Sequence, residues 1–197
     1  MVASMMIGLA AAGALALPSV DPKDIHRATD QVPVVSANPS WSTEALIFVD
    51  QSGDVFECTT QHSEGSERVF RQLCREFRRL KVEAASDREG RPIHGVLGIR
   101  VTRFPGAERD TGSVTEYPDM MLPLPNRQVT GMVSALVEVE TDGQIKHCEI
   151  ALSPDIADTA SQQAVCDFLL TVPIAPMIGT DGHAVRYVRL VKVFVNG

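Results

Sequence analysis

The sequence has no excess of positive charge. With 18 Lys and Arg against 25 Asp and Glu its net charge is −7, which argues against a general nucleic-acid binder, since those carry a basic surface. Short signatures of catalysis are missing too: there is no nucleophile elbow, no His-Glu-x-x-His helix, no phosphate-cradling glycine loop and no dinucleotide fingerprint. His62 and His94 fall at loop or strand-end positions and His147 adjoins a cysteine, so each reads as a turn or surface residue. Asp54, Asp87, Asp142 and Asp181 sit at turn glycines, where a short side chain that bonds its own backbone is expected. No catalytic residue and no cofactor follow from this, and an enzyme would need a polar cleft that spacing does not assemble.

A long apolar run is also lacking. Residues 1–18 are uncharged, but about sixteen apolar residues fall short of the roughly 20 that a membrane span requires. The run ends in Ala14-Leu15-Ala16, the small-x-small pattern of signal peptidase, so residues 1–16 are expected to be a secretory signal cleaved after Ala16. No Lys or Arg precedes the run, and an uncleaved anchor or a buried N-terminal helix are the alternatives. Residues 17–39 read as a polar tether.

What is present is a repeat. Residues 44–103 have a second copy at 133–195, and in both a glycine stands five residues before a cysteine: Gly53 and Cys58, Gly143 and Cys148. Each copy then reaches a second cysteine, Cys74 or Cys166, and sixteen residues further a glycine, Gly90 or Gly182. In the first copy Ala45, Ile47 and Val49 alternate with Leu46, Phe48 and Asp50 before a Ser52-Gly53 turn and a second run, a hairpin signal. Val69, Phe70, Leu73, Cys74, Phe77 and Leu80 follow at helical spacing, with Ser66 as N-cap. Ile93, Val96, Leu97, Ile99 and Val101 make the closing strand. The second copy repeats the order: a hairpin around Asp142-Gly143, a helix starting near Asp155 or Asp158 with Ala157, Ala160, Ala164, Val165, Phe168, Leu169 and Val172 on its apolar side, and a last strand. That strand puts Val185, Tyr187, Arg189, Val191, Val193 and Val195 on one face and Val188 and Leu190 on the other. The expected fold is α+β: two tandem β-β-α-β units at 40–104 and 129–197, antiparallel sheets each packed by one helix, joined by a linker at 105–128.

Units of about 65 residues are marginal on a hydrophobic core alone, and the cysteines offer a staple. One cysteine of each unit lies in the second hairpin strand and the other on the apolar side of the helix, so Cys58–Cys74 and Cys148–Cys166 are the expected disulfides in an exported chain. A zinc site and free buried thiols are the alternatives, although no Cys-x-x-Cys or His-x3-His spacing is present. The opposite face of the first helix carries Arg68, Arg71, Arg75, Arg78 and Arg79, a solvated face or a contact for anionic lipid or an acidic partner.

The run from Tyr117-Pro118 through Val129-Thr130-Gly131, the Asp142-Gly143 hairpin, the helix and the terminal valine-rich strand resembles the C-terminal domain of TonB-type energy transducers, in a version with one cysteine in the second strand and another in the helix. The resemblance covers both copies. It departs from the family in the short apolar segment, the brief tether, Thr130-Gly131 in place of Glu-Gly, and the Ala175-Pro176-Met177 loop. It implies a periplasmic module with no enzymatic activity, whose last strand offers Val185, Tyr187, Val188, Arg189, Leu190, Val191 and Val193 as an edge for the TonB-box peptide of an outer-membrane transporter. The alternative is an envelope protein whose edge strands pair within the chain or between two copies.

Overall fold

The computed structural model of the chain describes residues 13–32, 41–103, 117–124, 129–153, 156 and 158–197. Most of the expected signal, part of the tether, most of the linker, and Asp155 and Ala157 lie outside the described residues. In chain order the elements are α1 (Pro22–Asp30), β1 (Trp41–Val49), β2 (Val55–Glu64), α2 (Glu67–Phe77), β3 (Ala85–Ser86), β4 (Pro92–Arg103), β5 (Met120–Pro123), β6 (Thr130–Val139), β7 (Ile145–Leu152), α3 (Thr159–Leu169), β8 (Met177–Ile178), β9 (Ala184–Val185) and β10 (Tyr187–Asn196).

The protein is a mixed α+β structure with one large sheet and three helices among the described residues. The strand order is β2-β1-β4-β10-β6-β7, with β3 added on β4 and β5 on β10, while β8 and β9 form a separate pair. Both hairpins are antiparallel, β4 returns antiparallel to β1, and β10 returns antiparallel to β6. Two separate sheets were expected; instead β4 and β10 join the halves in parallel, through Tyr187 on His94, Val188 on Gly95 and Arg189 on Val96. The reason is burial. β10 carries Tyr187, Val191, Val193 and Val195 on one face beside Arg189, and fully buried Val188 with Leu190 and Phe194 on the other beside Lys192, and apolar residues on both faces suit a strand enclosed within a sheet.

Parallel joining turns the second half over. Ala45, Ile47 and Val49 of β1 pack with Val69, Phe70, Leu73 and Phe77 of α2. On the other face Val133, Ala135, Val137 and Val139 of β6 pack with Val165 and Leu169 of α3, and Leu46, Phe48 and Phe56 from the back of the first half join that cluster. The two helices therefore cover opposite faces of one sheet. Fully enclosed side chains such as Leu73, Phe77, Val165 and Leu169 each contribute roughly 1.5–3 kcal/mol by burial.

The helix ends differ in chemistry. Asp158 caps α3 by accepting from the backbone N–H groups of Ala160 and Ser161, whereas Ser66 occupies the N-cap position of α2 without a side-chain cap bond. Part of the expected tether is ordered as a helix. Asp21 accepts from the Lys23 N–H, Pro22 opens the first turn, and Ile25, Ala28 and Thr29 are buried where α1 packs on α2. Ahead of it, Ala16 bridges to Ser86 and Ser19 to Glu83, while Leu15 is buried among Ala85, Ile93, Leu136 and Val188.

Candidate functional site at the sheet edges

The last strand is not an edge. β10 pairs with β6 over its whole length, from Tyr187 on Val139 to Asn196 on Thr130. Its other side is taken by β4 near its start and by β5 near its end, where Val193 pairs with Met120 and Asn196 with Pro123. Between them the Asp119 carboxylate stands in for a strand: it accepts from the Lys192 backbone N–H at 2.8 Å and meets Arg189 Nη2 at 3.0 Å. Tyr187, Val188, Val191 and Val193 are buried, and Tyr187 donates its hydroxyl to the Ala175 carbonyl at 2.8 Å. Val185 belongs to β9 and pairs with Met177. The expected peptide-binding edge is corrected accordingly, because the position on which a strand could add is filled from within the chain.

The sheet ends instead at β2 and β7. Each pairs on one side only among the described residues, leaving alternate backbone N–H and C=O groups directed outward. The regular stretches are short. β2 keeps register from Glu57 on Phe48 to Gln61 on Glu44, with shifts on both sides, and His62 takes a left-handed φ of 48° at one of them. β7 keeps register from His147 on Glu138 to Ile150 on Ala135, again between two shifts.

Each outer strand is fastened to the helix above it. Cys58 of β2 is bonded to Cys74 of α2 and Cys148 of β7 to Cys166 of α3, with Cα separations of 5.4 and 5.6 Å. All four cysteines are thereby in disulfides, as expected from their spacing, and such bonds persist in oxidising compartments outside the reducing cytosol. No helix among the described residues is long and apolar enough to cross a membrane.

Charged groups gather where the halves meet. Asp87 is fully buried; it accepts from the backbone N–H groups of Glu89 and Arg91, and its Oδ2 meets Arg91 Nε at 2.9 Å and Arg186 Nη2 at 3.0 Å. Burial pushes the Asp87 carboxyl up, but the hydrogen bonds and charge of Arg91 outweigh it and hold the group at about 2. Arg186 continues to buried Glu138, with Nη1 3.2 Å from Oε1, and His147 Nε2 lies 3.9 Å from Oε2. The Glu138 Oε1 contact is an ion pair without hydrogen-bond alignment. A second cluster joins Lys192 Nζ to Glu44 Oε1 at 3.4 Å and Gln61 Nε2 to Glu44 Oε2 at 2.9 Å. Burial raises the Glu44 carboxyl, while Gln61 and Lys192 more than reverse that and leave it lowered. His94 lies near the start of β4, as expected; burial lowers its pKa, and its Nδ1 has no hydrogen-bond partner among the described residues. Of these contacts, Arg186 on Asp87 and Lys192 on Glu44 cross between the halves, and neither was legible by spacing.

Among the described residues no three His, Cys, Asp or Glu side chains are grouped to hold a metal ion. Asp142 accepts from the Gln144 N–H and Asp181 from the His183 N–H, as expected of turn aspartates, whereas at the first hairpin Asp50 takes the Ser52 and Asp54 N–H groups and the Asp54 carboxylate pairs with Lys81. Comparison with known protein families, curated proteins and solved structures finds no match for this chain.

Proposed function

We propose that the protein is a non-enzymatic, exported binding module of the periplasm that takes up an extended protein segment by strand addition at an outer edge of its sheet. The observation that carries this reading is the pair of outer strands, β2 and β7, each open along its hydrogen-bonding side among the described residues and each fastened by a disulfide. Such an edge supplies affinity through main-chain bonds and selectivity through alternate side chains. Reading the two hairpin-helix-strand runs as tandem TonB C-terminal-like units belongs to the same proposal, and the segment received is then the TonB box of an outer-membrane transporter, on β2 or β7.

A second reading draws on the pairing of β4 with β10 within the chain. It makes the protein a structural component of the envelope whose strands pair with one another or with a second copy. Hydrogen–deuterium exchange of the full oxidised chain, with and without a synthetic TonB-box peptide, separates the two. New protection at residues 57–61 or 147–150 supports peptide uptake. Unchanged exchange together with a dimer in sedimentation supports pairing with a second copy, and unchanged exchange in a monomer sinks peptide uptake and leaves pairing within the chain.

A further inference from the structure

The two outer edges differ in what overhangs them. The Cys58–Cys74 bond marks the side of α2 that looks down on β2. Arg71 and Arg78, one turn before and one turn after Cys74, share its stripe, and both are exposed. At the other end the Cys148–Cys166 bond marks the matching side of α3. There the residues one turn either side of Cys166 are Gln163 and Leu170, and α3 carries no Lys or Arg. The helix above one edge thus carries two guanidinium groups and the helix above the other carries none, while Arg88 meets Glu149 of β7 on the opposite face of the sheet.

We infer that the β2 edge binds an extended acidic segment of a partner protein, with its carboxylates directed at Arg71 and Arg78; the inference rests on the strand-addition reading above. Among the described residues Arg71 is held only by Glu67, at 2.7 Å, with both side chains largely exposed. An exposed pair of this kind is weak and exchanges readily for a ligand carboxylate. Register decides which ligand positions are involved. Cys58 and Thr60 share a face with Ile47 and Ala45, the α2 side, while Glu57 points to the other. An incoming strand therefore presents every second residue to the arginines and its alternate residues toward Glu57, where a like charge is unfavourable. Along α2 the seven-residue step from Arg71 to Arg78 rises about 10.5 Å, and same-face residues on a strand recur at about 6.8 Å, so carboxylates two or four residues apart meet both side chains. The partner's signature is acidic residues in alternation with neutral or basic ones.

The test is fluorescence anisotropy on the full oxidised chain with four labelled nine-residue peptides: one alternating Glu and Thr, one alternating Lys and Thr, and each of these N-methylated at alternate residues. We expect the Glu peptide to bind, to weaken steeply with salt, and to lose roughly tenfold in affinity on R71E/R78E. The Lys peptide should gain on that same variant, and Gln163→Ala should change nothing. Arg71 and Arg78 are solvent-exposed, so the variant is expected to fold, and circular dichroism checks it. Equal binding of the Glu and Lys peptides, both abolished by N-methylation in matched probes, overturns acidic selection and leaves strand addition standing. A methylated Glu peptide that binds as well as its parent overturns strand addition. Absence of binding by all the peptides overturns both.

Discussion

At the scale of residues, two glycines show why a turn motif recurs with its neighbourhood attached. Gly53 and Gly143 have φ of +84° and +86°, and a Cβ at either would lie 2.0 Å from the Val82 carbonyl oxygen or 2.3 Å from that of Ile174. Gly90 has a similar φ of +74° with nothing within 4 Å. Gly53→Ala is therefore expected to cost roughly 3 kcal/mol and Gly90→Ala about 1 kcal/mol; equal losses in urea titration would show that the close approach does not matter. Burial of Glu138 gives a second prediction. Arg186→Ala leaves that carboxylate with only distant His147 among its described charge partners and takes one donor from Asp87, which keeps Arg91, at a cost of about 3 kcal/mol, while Arg186→Met with Glu138→Leu should restore the share due to Glu138. A double variant no better than the single one would reject the ion pair as the cause. Asp87 sets a pH limit. Its folded value of about 2 lies below the ordinary 3.8, so its stabilisation is complete above that ordinary value and is lost as pH falls through the folded one. Acid titration of stability should show a limb between about pH 4 and 2 that Asp87→Asn flattens. Asp87 was legible as a turn aspartate, which its bonds to the Glu89 and Arg91 N–H groups bear out. Its partner Arg186, 99 positions away, was not, because sequence spacing carries no signal for a contact made by folding two halves together.

At the scale of elements, hairpins, helices and cysteine pairing were legible because each depends on local periodicity and turn chemistry. The place of β10 was not read correctly, although its sequence held the clue. Val188 and Leu190 make the second face apolar as well as the first, and a strand buried on both faces belongs inside a sheet. Its terminal position in the chain suggested an edge, but the sheet orders strands by burial, and chain order does not determine it. α1 was missed for the opposite reason: a nine-residue helix is too short to show a period, and only Asp21-Pro22 and the spacing of Ile25, Ala28 and Val32 mark it. The disulfides hold the outermost strands, where a sheet frays first. Replacing Cys58 and Cys74 by Ala should cost about 3 kcal/mol and, in hydrogen exchange, should deprotect residues 55–64 before any other strand. Deprotection starting at β6 instead would show that the bond does not guard the edge.

At the scale of the molecule, the joint between halves is short in backbone terms, three parallel residue pairs, yet the cores are shared across it. Leu46, Phe48 and Phe56 of the first half pack into the cluster under α3, and Ala85 and Ile93 enclose Leu136 and Val188 of the second. Each half buries part of its apolar surface against the other, so the repeat, two units in sequence, is expected to be one unit in stability. Calorimetry of the full oxidised chain should give one transition whose calorimetric and van't Hoff enthalpies agree. Val188→Ala removes buried methyls at the joint, and a loss of about 1–2 kcal/mol should move that single transition to lower temperature without splitting it. Two transitions in the parent chain, or a variant in which only one half melts early, would mean that each half holds a sufficient core. The shared clusters would then be contacts between two independent bodies, and the open edges of β2 and β7 would belong to domains free to bind separately.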